Sequence, residues 1–129
     1  MNYLSDEEIK AINQVVIEES GGSFGVRELG LLISIAQKPT AGFAGRELYP
    51  DLFIKAAVLY EAVVNYHVFV DGNKRTGFAA MARFLAINSY IIDITDIEIE
   101  NFTISVATNR PDLADIAIWI KRHAKQVVP

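Results

Sequence analysis

The amino-acid sequence predicts an all-α fold of about six helices, and three observations support this prediction. Apolar residues recur at helical spacing in several segments. Two of those segments open with capping-box sequences, Ser5–Glu8 and Thr95–Glu98. Two others, 51–66 and 75–87, are apolar on almost every face, as buried helices are. With 129 residues, the chain is expected to form a single domain over 1–129 with one hydrophobic core.

The first two helices are predicted from their boundaries. One runs from the Ser5 N-cap to about Glu19 and ends before Gly21, because paired glycines favour a turn. The second covers 28–37 and stops before Pro39, whose ring disfavours a helical conformation in the preceding residue. Its buried face is expected to consist of Leu29, Leu32, Ile33 and Ala36.

The middle of the chain contains an exposed excursion followed by a pair of buried helices. Residues 39–50 carry glycine and proline without periodicity, so we expect them at the surface. The segment 51–66 has few strongly polar residues, and 75–87 is rich in small residues that allow close packing. We therefore expect these two helices to form a central buried pair that flanks the loop between them.

Two further helices are predicted in the C-terminal part of the chain. Residues 95–106 fit a strand as well as a helix, and the capping box at Thr95 decides for a helix. Pro111 and Asp112 suit the start of a last helix, where a missing N–H is harmless and negative charge favours the helix dipole. Positive charge at 121–125 suits the end of that helix.

Composition and charge argue against several classes of protein. The formal net charge is −4, with 12 basic and 16 acidic side chains, whereas direct binding to nucleic acid usually needs a clustered basic surface. The chain has no cysteine and therefore no disulfide or thiolate metal site. No apolar run approaches the roughly 18 to 20 residues of a membrane span, and the acidic N-terminus is unlike a secretory signal. We expect a cytoplasmic protein without a membrane partner.

Ionisable residues cluster at one place, between the two central helices. A helix that begins near Asn73 presents free backbone N–H groups, and Gly72 would let a ligand approach the main chain closely. Lys74 and Arg75 add positive charge, so a phosphate is the expected ligand. His67 in its neutral form can remove the proton from an attacking hydroxyl. Such an arrangement favours phosphoryl or nucleotidyl transfer.

Asp71 completes this predicted site as a candidate magnesium ligand. Mg²⁺ is usually bound by one or two carboxylates together with phosphate and water. Each residue also has a simpler interpretation: His67 can cap a helix, and the pair Asp71–Gly72 is common in turns. Lys74 and Arg75 can be solvated surface charges. The pattern of a P-loop is absent.

The run HVFVDGNKRTGF, residues 67–78, resembles the signature H-x-F-x-[DE]-[GA]-N-[GK]-R-x-x-R of the Fic family. It is most similar to the Doc branch of that family, the death-on-curing toxins. Every fixed position before the last arginine matches. The resemblance extends to the glycine-rich turn 21–28 and to residues 84–90, which follow the motif in sequence. It implies a Fic/Doc-type helical domain.

The resemblance also implies a role for each matching residue. His67 would be the general base for the target hydroxyl, and Asp71 would be a catalytic residue that organises Mg²⁺ or the loop. The anion hole that binds ATP would be built from Gly72, Asn73, Lys74 and Arg75. Residues 40–49 lie where the family has its flap, which aligns the target peptide.

Two departures from the adenylylating pattern distinguish the possible activities. Lys74 stands where glycine is usual, and Phe78 replaces the last arginine, both as in Doc. Because Doc-type proteins are kinases, the resemblance implies transfer of the γ-phosphate of ATP to a threonine or serine hydroxyl, with elongation factor Tu as the family's target. The alternatives are adenylyl or other nucleotidyl transfer, and an inactive helical interaction module.

The resemblance implies two kinds of protein partner. One is the target that carries the threonine or serine hydroxyl. The other is a separate antitoxin that docks against the domain, because the inhibitory pattern [ST]-x-x-x-E-[GN] of some Fic proteins does not occur in this chain.

Overall fold

The computed structural model describes residues 1–127, which form a mainly helical fold. Six helices lie within these residues: α1 Asp6–Ser20, α2 Leu29–Gln37, α3 Leu52–Asn65, α4 Asn73–Ala86, α5 Asp96–Thr108 and α6 Leu113–His123. Two short antiparallel strand pairs join them: β1 Gly42–Phe43 with β2 Arg46–Glu47, and β3 Tyr90–Ile92 with β4 Ala124–Gln126. The prediction of an all-α fold with about six helices is confirmed.

The capping residues explain where several helices begin. The Ser5 hydroxyl accepts a hydrogen bond from the Glu8 amide at 3.1 Å, and the Glu8 carboxylate accepts from the Ser5 amide at 3.2 Å. This reciprocal pair is the predicted capping box of α1. Thr95 accepts from the Glu98 amide at 3.2 Å and starts α5, so the ambiguous segment is a helix. Asp51 caps α3 in the same way.

Helix α3 is the centre of the core, and α4 and α6 pack along it. The predicted central pair therefore corresponds to α3 and α4. Their axes come close together at Gly77, where an added Cβ would lie 2.5 Å from Cγ2 of Val64. Although α3 is strongly apolar, no helix among residues 1–127 is both long and apolar enough to cross a membrane.

Tyr60 joins α3 to its neighbours through both its ring and its hydroxyl group. The side chain is fully buried, and its hydroxyl is hydrogen-bonded to that of Thr103 in α5. Burial raises the pKa of Tyr60, although the hydrogen bond to Thr103 acts in the opposite direction. The phenol therefore stays neutral and satisfied inside the core. Its ring lies edge-on to Phe78 of α4, with centroids 6.0 Å apart.

The buried face of α2 differs from the predicted one. Leu29 is 56% exposed and Ile33 is 37% exposed, so their predicted burial is wrong. Leu32 and Ile35 are the residues that enter the core. The physical reason is that α2 is apolar on nearly every side, and such a helix has no sequence pattern that selects one face. Contacts with the neighbouring helices select the face instead.

The turn that follows α4 holds both ends of the described chain. The Asn2 amide donates to the side-chain oxygen of Asn88 at 2.8 Å, and the Asn88 side chain donates to the Asn2 carbonyl at 2.9 Å. The Val127 amide donates to the Ser89 carbonyl at 2.8 Å, which extends the pairing of β3 with β4. These strands were not predicted, because three residues are too few to show an alternating pattern.

We predict that Gly77→Ala destabilises the protein by about 1–3 kcal/mol, the usual cost of overpacking a core. The new methyl group would overlap Val64, and backbone atoms of α3 at 3.3 Å prevent α4 from moving aside freely. This cost exceeds the gain of about 1 kcal/mol from replacing a helical glycine. Urea unfolding measures the difference. Gly30→Ala is the matched control, since nothing lies within 4 Å of that added Cβ, and it should not be destabilising.

Candidate functional site

The loop 66–72 connects α3 to α4 and carries the first part of the predicted motif. Its backbone is paired with the glycine-rich segment that precedes α2. The Arg27 amide donates to the Val68 carbonyl at 2.8 Å, and the Val70 amide donates to the Gly25 carbonyl at 2.9 Å. These two bonds hold the loop in one position relative to the N-terminal part of the fold.

Phe69 and Asn73 fix the conformation of the loop from inside. Phe69 is fully buried, as expected for a residue that anchors the loop in the core. The Asn73 side chain accepts a hydrogen bond from the Phe69 amide at 3.0 Å and donates to the Phe69 carbonyl at 2.9 Å. Both polar atoms of this side chain are therefore committed to the loop. What Asn73 can offer a ligand is its backbone N–H.

Asn13 of α1 connects the loop to the rest of the fold, and the sequence analysis did not identify it. Its side-chain nitrogen donates to the Asp71 carbonyl and to the Thr76 hydroxyl, both at 3.0 Å. Asn13 and Thr76 are fully buried. A polar residue on the buried side of α1 is the only sequence signal that could have suggested this role, because buried amides are usually hydrogen-bonded.

Asp71 is exposed, and its carboxylate is oriented by the main chain. Oδ2 accepts a hydrogen bond from the Ser23 amide at 2.8 Å. Among residues 1–127 no three histidine, aspartate or glutamate side chains come together to hold a metal ion. An exposed carboxylate such as that of Asp71 is the type of single protein ligand that Mg²⁺ takes together with phosphate oxygens and water, and its role as a magnesium ligand stays a prediction.

Gly72 lies at the N-cap of α4 in the left-handed conformation, with φ of 76°. An added Cβ would lie 3.1 Å from Cδ1 of Ile17 and 3.3 Å from Cγ1 of Val16. The missing side chain thus faces α1, and the close approach of a ligand to the main chain at Gly72 stays a prediction. Glycine is needed here for the left-handed backbone and for packing.

The N-terminus of α4 has free hydrogen-bond donors and positive charge. No side chain caps it, so the first N–H groups of the helix lack partners within the described residues. Lys74 and Arg75 are exposed in its first turn. The one salt bridge within residues 1–127 joins Lys55 to Glu47, so neither of these cations is neutralised by a carboxylate there. An anion is the ligand that this arrangement favours.

A groove of about 780 Å³ opens beside this helix end, between α1, α4 and α5. Lys74 and Arg75 line it together with Phe78. Glu19 on the facing helix and Glu100 of α5 also line it, so the groove combines both signs of charge. Its size is within the range of pockets that bind small ligands.

His67 lies just after the end of α3 and is exposed. Its φ of 51° is in the left-handed region, which is uncommon for a residue other than glycine. Strained backbone of this kind is found at functional sites more often than elsewhere. Lys74 and Arg75 line the groove, whereas His67 does not.

The residue before His67 is held by a lysine from the base of the predicted flap. The Lys38 ammonium donates a hydrogen bond to the Tyr66 hydroxyl and lies 4.7 Å from the centre of the Tyr66 ring. Burial acts to lower the pKa of Lys38, but the interactions with Tyr66 and Glu61 outweigh it and raise the pKa above its ordinary value. Lys38 therefore stays charged beside the loop.

We predict that Asn13→Ala destabilises the protein by about 1–3 kcal/mol, because it leaves buried acceptors unsatisfied. Amide hydrogen exchange in residues 68–72 should also become faster, since the Asp71 carbonyl loses its partner in α1. Gln14→Ala is the matched control on the exposed side of the same helix. Equal stability and equal exchange in the two variants would contradict the assigned role.

Comparison with known proteins agrees with this geometry. A sequence model of the Fic/DOC family matches residues 3–85, which include the whole loop and most of α4. The chain is 37% identical to Toxin Doc of Mycolicibacterium smegmatis over 117 residues, which cover 89% of this chain and 88% of the relative. It is 29% identical to Protein kinase doc of Escherichia phage P1 over 123 residues, 95% of each chain. The chain therefore belongs to the Fic/Doc family and to its Doc branch.

Proposed function

We propose that this protein is a Doc-type toxin kinase that transfers the γ-phosphate of ATP to a threonine or serine hydroxyl of a target protein. One observation carries the proposal. An exposed His67 lies on the ordered loop that leads, through residues 68–72, to a helix N-terminus with free N–H groups and two cations that no carboxylate within residues 1–127 neutralises. A base next to an anion site is what transfer to a hydroxyl requires.

The proposed reaction assigns one task to each residue. His67 accepts the proton of the target hydroxyl as the oxygen attacks the γ-phosphorus, and the bond between that phosphorus and the ADP oxygen breaks. The N–H groups of the α4 N-terminus, with Lys74 and Arg75, bind the phosphate oxygens and stabilise their negative charge. Asp71 would hold Mg²⁺, which supplies additional positive charge to the phosphates when bound.

Two features favour transfer of the γ-phosphate over transfer of the adenylyl group. The relative from phage P1 is named a protein kinase. Phe78, at the position where adenylylating enzymes have an arginine, packs its ring against Tyr60 and offers no cation to a second phosphate. By resemblance to the family, we propose elongation factor Tu as the target protein.

We further propose that a separate antitoxin restrains this activity. The relative from Mycolicibacterium smegmatis is named a toxin, and it is similar over most of both chains. The resemblance to Doc toxins implies such a partner, and this chain lacks the inhibitory sequence pattern of other Fic proteins.

We expect that incubation with a cell lysate and ATP transfers label to protein from the γ-phosphate and not from the α-phosphate. The reason is that the anion site has one cluster of cations, at Lys74 and Arg75, for the phosphate that is transferred. Autoradiography with the two labelled nucleotides distinguishes the outcomes. Transfer of the α label would indicate nucleotidyl transfer. Absence of transfer and of nucleotide binding would indicate an inactive interaction module, and either result would contradict the proposal.

We expect that replacing His67 lowers transfer by about 10²- to 10⁴-fold, the usual contribution of a general base. Two variants distinguish the effect of losing the imidazole from an effect on the backbone. Both His67→Ala and His67→Asn remove the ring, but asparagine is better suited than alanine to the positive φ at this position. Initial rates of label transfer provide the measurement.

His123 offers the matched control for this experiment. It is the other histidine of the chain, and its ring lies against Trp119 with Nδ1 2.8 Å from the Trp119 carbonyl. His123→Ala should keep the transfer rate of the unaltered protein. Full activity in both His67 variants would refute the assignment of the base.

A further inference from the structure

Lys55 is a buried cation that the proposed reaction does not use. It lies in the first turns of α3, and only 1% of its side chain is exposed. Burial of an ammonium group is costly unless its charge and its hydrogen bonds are satisfied. The groups that bind the Lys55 ammonium therefore show which parts of the fold this buried charge holds together.

Its partners lie at both ends of the flap. Nζ donates to the Pro39 carbonyl at 2.7 Å, just before the hairpin β1–β2, and to the Glu47 carboxylate at 3.1 Å, on β2. The ammonium also lies 5.6 Å from the centre of the Tyr3 ring, a distance suited to a cation–π interaction. One side chain thus connects helix α3 to the entry and the exit of the hairpin.

The hairpin has little other support. Each of its strands has only two residues, and the side chains of residues 42–48 are exposed. Phe43, which could have packed on the core, is 87% exposed. A short two-stranded hairpin is marginally stable by itself, so its position depends on the contacts at its base.

The same helix carries the candidate base at its other end. Lys55 is near the start of α3, about 15 Å from the last residue, Asn65, at 1.5 Å per residue, and His67 lies two residues beyond Asn65. Lys38 adds a second connection, from the residue before Pro39 to Tyr66 next to His67. The position of the hairpin is thereby fixed relative to His67 through one rigid helix.

We propose that Lys55 is a positioning residue that holds the flap hairpin in place so that a segment of the target protein lies along it with its hydroxyl at His67. The proposal rests on the function proposed above. Lys55 touches neither target nor nucleotide in this assignment. Its ion pair with Glu47 is the connection that determines where the target can bind.

Two variants test the connection from its two sides. Lys55→Met keeps the length of the side chain and removes its charge. Glu47→Ala removes the acceptor on the hairpin and creates no cavity, because 55% of the Glu47 side chain is exposed, and Lys55 keeps its hydrogen bond to the Pro39 carbonyl. Lys125→Met, on β4, is the control that removes one lysine charge at an exposed position.

Hydrogen exchange measures the anchoring without reference to activity. In Glu47→Ala and Lys55→Met, amides of residues 41–48 should exchange about tenfold faster or more, while those of α3 and α4 keep their rates. The Leu48 amide, which donates to the Ala41 carbonyl at 2.9 Å, is the most informative of them. Exchange within about twofold of the unaltered protein in Glu47→Ala would overturn the proposal.

Transfer kinetics then measure positioning. We expect the KM for the target protein to rise about tenfold in Glu47→Ala, because a hairpin that has lost its bond to Lys55 must be ordered when the target binds, with the KM for ATP unchanged. A fall in kcat with an unchanged KM for the target would overturn the proposal. If the unaltered protein transfers no phosphate, the proposed function fails, and the exchange rates alone decide whether Lys55 anchors the hairpin.

Discussion

The close contact between α3 and α4 at Gly77 is the constraint on which the rest of the structure depends. Since no side chain separates the helices there, α4 can pack back along α3 immediately after a short loop. The end of one helix and the beginning of the next are therefore neighbours. A residue that follows α3 and the free N–H groups of α4 share one end of the fold. The chemistry assigned to the site needs both, and the helix pair supplies them.

The loop between these helices is ordered by contacts that come from several parts of the chain. Asn73 holds it from α4, Asn13 holds it from α1, and backbone pairing with residues 25–27 holds it from the segment before α2. None of these contacts involves the side chain of His67, Lys74 or Arg75. The residues that fix the loop are thus separate from those available to a ligand, so the site is preorganised. Lys74 and Arg75, adjacent at one helix end, give a protein of net charge −4 a local concentration of positive charge.

Local sequence signals predicted the helices well. The capping sequences at Ser5 and Thr95 gave the starts of α1 and α5, and the apolar segment after Asp51 gave α3. Each is a short-range effect, since a cap and its helix are adjacent in sequence. The motif residues could also be named, because their spacing is characteristic. Their contacts could not be predicted. The three-dimensional structure was needed to show that the Asn73 side chain binds the Phe69 backbone and that Gly72 faces α1.

Contacts between distant segments account for what the sequence did not predict. Asn13 is one polar residue on an amphipathic helix, and nothing near it in the sequence indicates a partner 58 positions away. Lys55 is one of the few strongly polar residues of the apolar segment 51–66, but its pairing with Glu47 depends on the path of the chain through the hairpin. The exposure of Leu29 and Ile33 on α2 also depends on distant segments, since the neighbouring helices determine which side of an apolar helix is buried.

The attachment of Asn2 and Val127 to one turn has a practical consequence. Asn2 and Val127 are bonded to residues 88 and 89, beyond the C-terminal end of α4, whereas the candidate site is at its N-terminal end. The helix between them is about 21 Å long. A fluorophore or a surface tether attached next to residue 2 or residue 127 is thus separated from the candidate site by the length of α4. The motif loop stays open to large proteins even when the protein is immobilised.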